Sequence, residues 1–309
     1  MLITSSKLGE GIIYFRLKHN FVRDLAKNRV VLGDAVKIAK TIDDNSLSCI
    51  IADPPYNIGK NFGNNLANKE IQEYLDWCEK WISECLRALA PNGTMFIYGF
   101  SEILALILAK VPLDVNRRWL VWHYTNKNMA RLKFWQRSHE SILVLWKEDY
   151  VFNKDLVREP YTENFLKNSA GKTRTGTPSR FGSGKDTTYN AHEKGALPRD
   201  VIKISALAGG AGSRERVYYC KSCDALIEGT KAKKMCQERN CELIVHPTQK
   251  PLELSTRLLN SCKQQDNLVF IPFAGTGSEC LAAKHLQLDF IATELNPDYV
   301  KSVNLRLAK

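Results

Sequence analysis

The chain has 309 residues, with 44 Lys and Arg against 33 Asp and Glu, a net charge of +11, and nine cysteines. That length suits one large α/β domain or a domain with an insertion, and no run of about 18 apolar residues is present to span a membrane. The opening MLITSSKLGEGIIYF lacks a basic region followed by an apolar core, and the odd cysteine count argues against a disulfide framework, so the expectation is a cytoplasmic protein with buried or metal-binding thiols.

Residues 1–28 read as an N-terminal extension. Beyond them, RVVL (29–32), SCIIAD (48–53) and TMFIYG (94–99) read as buried strands. Between the last two, residues 70–89 place Tyr74, Trp77, Cys78, Trp81, Cys85 and Leu89 at helical spacing, and APNG (90–93) is expected to end that helix in a turn. EILALILAK reads as another helix, and RWLVWHY and SILVLW as two more strands. This alternation predicts a mostly parallel, doubly wound sheet.

Residues 117–147 hold seven basic side chains (Arg117, Arg118, Lys127, Arg131, Lys133, Arg137, Lys147) and one acid, Glu140, interleaved with Trp119, Trp122, Tyr124, Phe134, Trp135 and Trp146. Basic groups hold phosphates while flat rings stack on bases, so the run suits nucleic acid. The competing reading is a solvated charge run beside core aromatics. Periodicity then vanishes over 151–216, a polar stretch rich in Gly, Ser, Thr, Lys and Arg that reads as a long loop region or insertion. Its AGKTRTG and GSGKDTT segments lack the spacing of a phosphate-binding loop. The α/β pattern returns with PLELSTRLLNSC as a helix, NLVFI (267–271) as a strand, SECLAAKHL (278–286) as a helix, DFIATE (289–294) as a strand, and PDYVKSVNLRLA as a closing helix. The sheet is therefore expected to be built from both ends of the chain.

Three motifs sit at strand ends. In CIIADPPYNIGKNF, an apolar strand runs into Asp53-Pro54-Pro55-Tyr56. Proline fixes φ and lacks an N–H, so a stiff loop follows, carrying an acid, free carbonyls and a ring. PFAGTGS (272–278) is a glycine-bearing turn from strand to helix, where a ligand can approach the backbone at a helix N-terminus. Seventeen residues past Gly277 the next strand ends in Glu294, an acid placed to accept from both ribose hydroxyls, so turn and acid together suggest an adenosine-type cofactor. HPTQKP (246–251) is a polar loop before a helix, and its Thr248 and Lys250 suit a carboxylate or phosphate.

A fourth motif pairs Cys220 and Cys223 as C-x2-C with Cys236 and Cys241 as C-x4-C, twelve residues apart. Four thiolates in two short-spaced pairs suit a structural, tetrahedral zinc with no open position for water. The neighbouring Lys231, Lys233, Lys234 and Arg239 either touch phosphates or keep the lobe solvated. The remaining Cys49, Cys78, Cys85, Cys262 and Cys280 lie in apolar patterns and are expected in the core, and His246 is expected to pack its loop rather than ligate.

DPPY, HPTQKP and PFAGTG, in that order, resemble the S-adenosylmethionine-dependent amino DNA methyltransferases in their permuted β arrangement, over most of residues 29–309. The resemblance implies a Rossmann-like α/β methyltransferase sheet with an inserted target-recognition region. The corresponding boundaries are a catalytic half (29–124), the insertion (125–216), the four-cysteine lobe (217–245) and a cofactor half (246–309). It also implies that Asp53 and the Pro54 carbonyl accept hydrogen bonds from the exocyclic amine of a base, that Pro55 stiffens the loop, and that Tyr56 offers a stacking face to a flipped base. By the same resemblance Phe273 packs on the cofactor, Gly275 and Gly277 line its backbone pocket, Glu294 holds its ribose, Thr248 and Lys250 meet its methionine carboxylate, Asp34 lies near its adenine, and Asp53 is a candidate partner for its methionine ammonium. One departure stands out: where the family often has an aspartate before PF, this chain has Ile271. The aspartate form of DPPY is more usual for adenine N6 than for cytosine N4. The implied partners are double-stranded DNA and, as candidates, a cognate restriction endonuclease and a second copy of the chain. Cytosine-N4 methylation and a catalytically silent, zinc-bearing DNA-binding protein are the alternatives.

Overall fold

The structure is a computed structural model that describes residues 27–57, 69–126, 133–179, 182–208, 214–265 and 267–309. Most of the N-terminal extension, and Lys127 and Arg131 of the basic run, lie outside the described residues. Strands in chain order are β1 (Arg29–Leu32), β2 (Leu47–Ala52), β3 (Leu89–Gly99), β4 (Asn116–His123), β5 (His139–Trp146), β6 (Val201–Lys203), β7 (Val217–Cys220), β8 (Ala225–Glu228), β9 (Leu243–Ile244), β10 (Leu268–Ile271) and β11 (Asp289–Glu294). Helices are α1 (Ala35–Ala39), α2 (Ile71–Ala88), α3 (Ser101–Leu108), α4 (Glu163–Asn168), α5 (Gly229–Glu238), α6 (Leu252–Cys262), α7 (Ser278–His285) and α8 (Pro297–Ala308).

Eight strands form one sheet in the order β1-β11-β10-β2-β3-β5-β4-β6. All its pairings are parallel except those of β5, which runs against both β3 and β4. The period-2 alternation of the strands sends their side chains into two cores. Ile50, Ala52, Met95, Ile97, Leu143 and Phe270 face the helices α2 and α3. Cys49, Ile51, Phe96, Tyr98, Val269 and Phe290 face α6, α7 and α8. Both faces are thus covered, which is why the strands read as continuous apolar runs.

Two expectations change. APNG does not close a turn after α2. The helix ends at Ala88, Leu89 is already extended, and residues 89–99 form one strand. Leu47 pairs with Leu89 but Cys49 pairs with Thr94, so APNG is a bulge inside β3. Its Gly93 has room for no side chain, since a Cβ there would meet Leu89 Cδ1 at 2.7 Å and the Leu47 carbonyl at 2.9 Å. Second, the segment 125–216 is not wholly an insertion. It supplies β5 to the middle of the sheet and β6 to its edge, because three residues of VIK pair in parallel with β4. The rest of 151–200 holds a 3-10 turn (Lys154–Leu156), α4 and two small ribbons.

The basic run also divides. It spans the antiparallel pair of β4 and β5, so Arg117, Arg118 and Lys147 lie at one end of these strands and the described residues 133–138 at the other. Arg117 donates to the carbonyls of Pro112 and Val115, Arg118 pairs with Asp200, and Lys147 donates to the Leu89 carbonyl, all at the far end. Only the connection between β4 and β5 reaches the edge where β2 and β3 end. There Trp135 is 86% exposed and Phe134 75%, and Arg137 pairs with Glu102 and covers the Phe100 ring at 4.1 Å.

Candidate active site

The sheet reverses its winding between β10 and β2. From β2 the chain moves outward to β3, and from β10 it moves the other way to β11. The loops leaving two adjacent parallel strands at such a point diverge and leave a crevice at their carboxyl ends. Here β2 delivers Asp53-Pro54-Pro55 and β10 delivers Pro272-Phe273, and both open into one cleft. Asp34, Asp53, Pro54, Pro55, Thr248, Lys250, Phe273, Gly275 and Glu294, all singled out from sequence, line it together.

At one end, Glu294 closes β11. Its carboxylate accepts from the backbone N–H of Gly275 (2.9 Å) and of Asn296 (2.9 Å), tying the glycine turn to the next strand. Burial holds this carboxyl above its usual range, against the N–H groups that favour its charge. Gly275 has φ +52, and a Cβ there would meet His246 Nε2 at 3.0 Å. Gly277 has φ +75, precedes α7 as its N-cap and faces Val303, and it is not among the residues lining the cleft. Asp34 caps α1 by accepting from the Lys37 N–H at 3.0 Å. Phe273 packs against Trp77 and Trp81, with ring centroids 5.6 and 5.2 Å away. Arg306 reaches from α8 to the Thr276 carbonyl at 3.0 Å and braces the turn.

At the other end lies a charged cluster. Lys250 Nζ is 2.7 Å from both oxygens of Asp53 and 3.6 Å from Glu140. It also sits 5.0 Å from the Tyr56 ring and 5.1 Å from the Tyr98 ring. Burial opposes the charge of this 3% exposed lysine, but Asp53 and Glu140 outweigh it and hold the ammonium above its usual range. Tyr56 donates to Asp53 Oδ1 at 2.8 Å and to Glu140 Oε2 at 3.1 Å. It is only 3% exposed and meets Phe100 edge-on, so in this structure its hydroxyl faces the cluster and its ring is core. Tyr74 donates to the Pro55 carbonyl at 2.8 Å, and the Asn57 side chain bonds the Lys69 backbone twice at 3.0 Å. These contacts fix the exit of the loop.

His246 packs its loop as expected. It meets the Tyr299 ring edge-on at 4.9 Å, and its Nδ1 accepts from the Thr248 N–H at 3.3 Å. Burial, with Lys250 and Arg216 nearby, pushes it down to about 3, so it is neutral at pH 7. Gln249 bonds outward, accepting from the Val217 N–H (3.0 Å) and donating to the Glu215 carbonyl (2.9 Å). A second, polar recess lies behind Lys250, lined by Trp122, Glu140, Arg216 and Gln249.

Two residues of the site escape sequence reasoning. In sequence Glu140 reads only as the lone acid of a basic run, and Glu279 as part of an ordinary helix. Both are buried carboxylates, and a charged residue inside an otherwise apolar strand, or at a helix start beside a glycine turn, is the signal that marks them.

The four cysteines converge in a lobe of their own. Cys220 ends β7, Cys223 is in the following turn, Cys236 is on α5, and Cys241 follows that helix. Their sulfur atoms lie within 4.8 Å of one another, and Cys223 and Cys241 are 3.8 Å apart. Tetrahedral thiolates about 2.3 Å from zinc would be separated by roughly that distance, so the cluster fits such an ion. Lys233 covers the Tyr218 ring at 5.0 Å, whereas the Lys231 side chain lies outside the described residues. The lobe docks on α8 through Lys221 to Asp298 (2.9 Å) and Lys301 to Asp224 (2.6 Å). The other five cysteines are buried. No helix among the described residues is long and apolar enough to cross a membrane.

A family model described as DNA methylase, N6_N4_Mtase, matches residues 47–305. The chain is 26% identical to the type II methyltransferase M.HpaI of Haemophilus parainfluenzae, over 90% of this chain and 74% of that protein. It is 28% identical to the DNA adenine methyltransferase YhdJ of Escherichia coli K12, over 88% of this chain and 80% of that protein. In fold it is similar to the PvuII DNA methyltransferase (cytosine-N4-specific), with a TM-score of 0.57 at 15% identity over 90% of this chain and 85% of that one. It is also similar to the TTHA0409 protein of Thermus thermophilus in complex with S-adenosyl-L-methionine, with a TM-score of 0.51 at 19% identity over 91% of this chain and 93% of that one.

Proposed function

This chain belongs to the DNA methylase family, and from that premise we propose that it methylates adenine N6 in double-stranded DNA, with S-adenosylmethionine as the methyl donor. The observation that carries the reading is a single cleft holding both the Asp53-Pro54-Pro55 loop and the Gly275–Glu294 pair. When bound there, the cofactor supplies an electrophilic methyl group on a sulfonium. Glu294 would hold its ribose, Gly275 would let it approach the backbone, Phe273 would form an apolar wall, and Thr248 and Lys250 would meet its carboxylate. Gly277 would support the turn from behind rather than touch the ligand.

The exocyclic amine of adenine is a weak nucleophile because its lone pair is delocalised into the ring. Asp53 and the Pro54 carbonyl would accept hydrogen bonds from its two N–H groups, hold the nitrogen in line with the methyl group and favour a localised lone pair. The cofactor would supply the methyl group and keep the C–S electron pair on its sulfur, and Asp53 would take the surplus proton from the methylated nitrogen and pass it to water. Tyr56 would aim Asp53 through its hydrogen bond, with Glu140 holding the Tyr56 hydroxyl from the other side. Lys250, which occupies both Asp53 oxygens here, would have to yield one of them to the amine. The polar recess behind Lys250 would receive part of the flipped base.

The aspartate in DPPY and the resemblance to an adenine methyltransferase at 28% identity support adenine. The cytosine-N4 enzyme is similar in fold alone, so cytosine N4 is the second reading. Duplex DNA would approach the edge bearing Phe134, Trp135 and Arg137. The type II methyltransferases among its relatives favour a cognate endonuclease in the same cell. The four-cysteine lobe would hold one structural zinc.

Modified-nucleoside mass spectrometry on DNA from a methylation-deficient host tests the reading. N6-methyladenine is expected with the wild type and not with Asp53→Ala. N4-methylcytosine instead would overturn the base assignment while keeping the family, and neither product from soluble protein would overturn the proposed reaction.

A further inference from the structure

The resemblance calls for an acid at the end of β10, and the chain has none there. Ile271 is 0% exposed and packs among the apolar residues facing α6 and α7. An amino-acid cofactor brings an ammonium as well as a carboxylate, so a partner for that ammonium must come from elsewhere.

We propose that Glu279 is the carboxylate that receives the cofactor's α-ammonium group. The proposal rests on the reading of the cleft as the S-adenosylmethionine site. Glu279 sits in the first turn of α7, directly after the glycine turn. It is 4% exposed, yet it lines the cleft. The Ser255 hydroxyl, itself buried in α6, donates to its Oε1 at 3.0 Å and fixes its orientation. The preceding Ser278 donates to the Lys250 carbonyl at 2.7 Å, which ties this turn to the loop carrying Lys250. Glu279 therefore lies at the methyl-transfer end with Asp53 and Lys250, while Glu294 holds the opposite end beside Gly275.

The charges of the cleft favour a cationic ligand. Asp34, Asp53, Glu279 and Glu294 line it, with Lys250 as their only lining lysine or arginine among the described residues. Lys250 is engaged by Asp53 through both oxygens, and no lysine or arginine among the described residues makes an ion pair with Glu279. A buried carboxylate that feels Lys250 and Arg306 but pairs with neither is costly to ionise, and an arriving ammonium lowers that cost. Consistent with this, burial and the nearby Asp53 push Glu279 up to about 7. A residue that is strained when empty and relieved by an ammonium suits a ligand contact better than a packing role.

The test is equilibrium binding of two ligands to the full-length, metal-loaded protein. One is S-adenosylhomocysteine, and the other is its deaminated analogue, which keeps the carboxylate but has hydrogen in place of the ammonium. Wild type is expected to prefer the amino ligand by about tenfold or more, the range of a charge-assisted hydrogen bond. Glu279→Gln should lose that preference, weakening the amino ligand about tenfold while binding the deaminated one as wild type does. Unchanged binding of the analogue also shows that the variant is folded. Glu279→Asp, which keeps the charge on a shorter stem, should retain part of the preference. If Glu279→Gln keeps the full preference, or weakens both ligands equally, the assignment is wrong. If wild type binds neither ligand, the reading of the cleft falls and the assignment falls with it.

Discussion

At the scale of single residues, the site is a contest over one lysine. Asp53 and Glu140 both lean on Lys250, Tyr56 bonds both acids, and Glu279 is left outside ion-pair distance. The imbalance has a consequence for stability that needs no ligand. Glu279 faces Asp53 and Lys250 across the cleft, Ser255 on α6, Arg306 on α8 and the N–H groups of its own helix turn. Its folded-state carboxyl is raised to about 7 from the usual 4.5. A raised carboxyl binds its proton more tightly when folded, so its contribution is fully present below about 4.5 and is lost as pH climbs through about 7. Glu279→Gln is therefore expected to stabilise the cofactor-free protein at pH 8 by about 1–3 kcal/mol and to leave it unchanged near pH 4.5. Urea unfolding of both proteins at the two pH values checks this, and a variant less stable than wild type at pH 8 would contradict it.

At the scale of elements, the glycine turn between β10 and α7 makes two separable demands. Gly277 combines φ +75 with a neighbour too close for any side chain, since a Cβ would meet Val303 Cγ1 at 2.3 Å. Gly171 has nearly the same φ, +74, with nothing within 4 Å. Gly171→Ala should therefore cost only the left-handed conformation, about 1–2 kcal/mol. Gly277→Ala should cost that and about 1–3 kcal/mol more, from overpacking against α8. Denaturant midpoints of the two variants give the difference directly.

What can be read from the sequence follows the same division. Asp53, Gly275 and Glu294 are legible because each sits where an apolar run stops, and the end of a run is a local signal. The bulge at APNG is not, since a turn and a bulge share the same residues and only the pairing of Leu47 with Leu89 separates them. β6 escapes because three residues are too few to show a period, and it exists only by virtue of β4 beside it. Glu140 and Glu279 gain their meaning from Lys250, Tyr56 and Ser255, which other parts of the chain deliver. The basic run reads as one surface in sequence, yet the antiparallel pair of β4 and β5 places Arg117, Arg118 and Lys147 at one end of these strands and residues 133–138 at the other.

At the scale of the whole molecule, the lobe and the sheet are joined through the cofactor loop. Gln249 bonds both sides of the strand leading into β7, and Glu215, just ahead of that strand, accepts from the Leu252 N–H at 2.7 Å. Loss of the proposed zinc should therefore be felt at Lys250, the chain neighbour of Gln249. Elemental analysis of purified protein is expected to find about one zinc per chain, as four thiolates require. Replacing Cys236 and Cys241 together by serine should remove that zinc and weaken S-adenosylhomocysteine binding several-fold, while the helical circular dichroism of the sheet domain persists. Full-strength binding by zinc-free protein would show that the loop keeps its shape unaided.

The sheet also carries a timetable. β1 hydrogen-bonds to β11, and β2 pairs with β3 on one side but with β10 on the other, so the first two strands complete their pairing only with the last two. Contacts this distant along the sequence form late and slowly. On a ribosome, Asp53 would emerge long before Phe273, Gly275 and Glu294, and its loop would have only one wall. The cleft could not form until β10, β11 and the turn between them had been released. On the proposed reading, methyl transfer would therefore require β10 and β11 as well as the strand that carries Asp53.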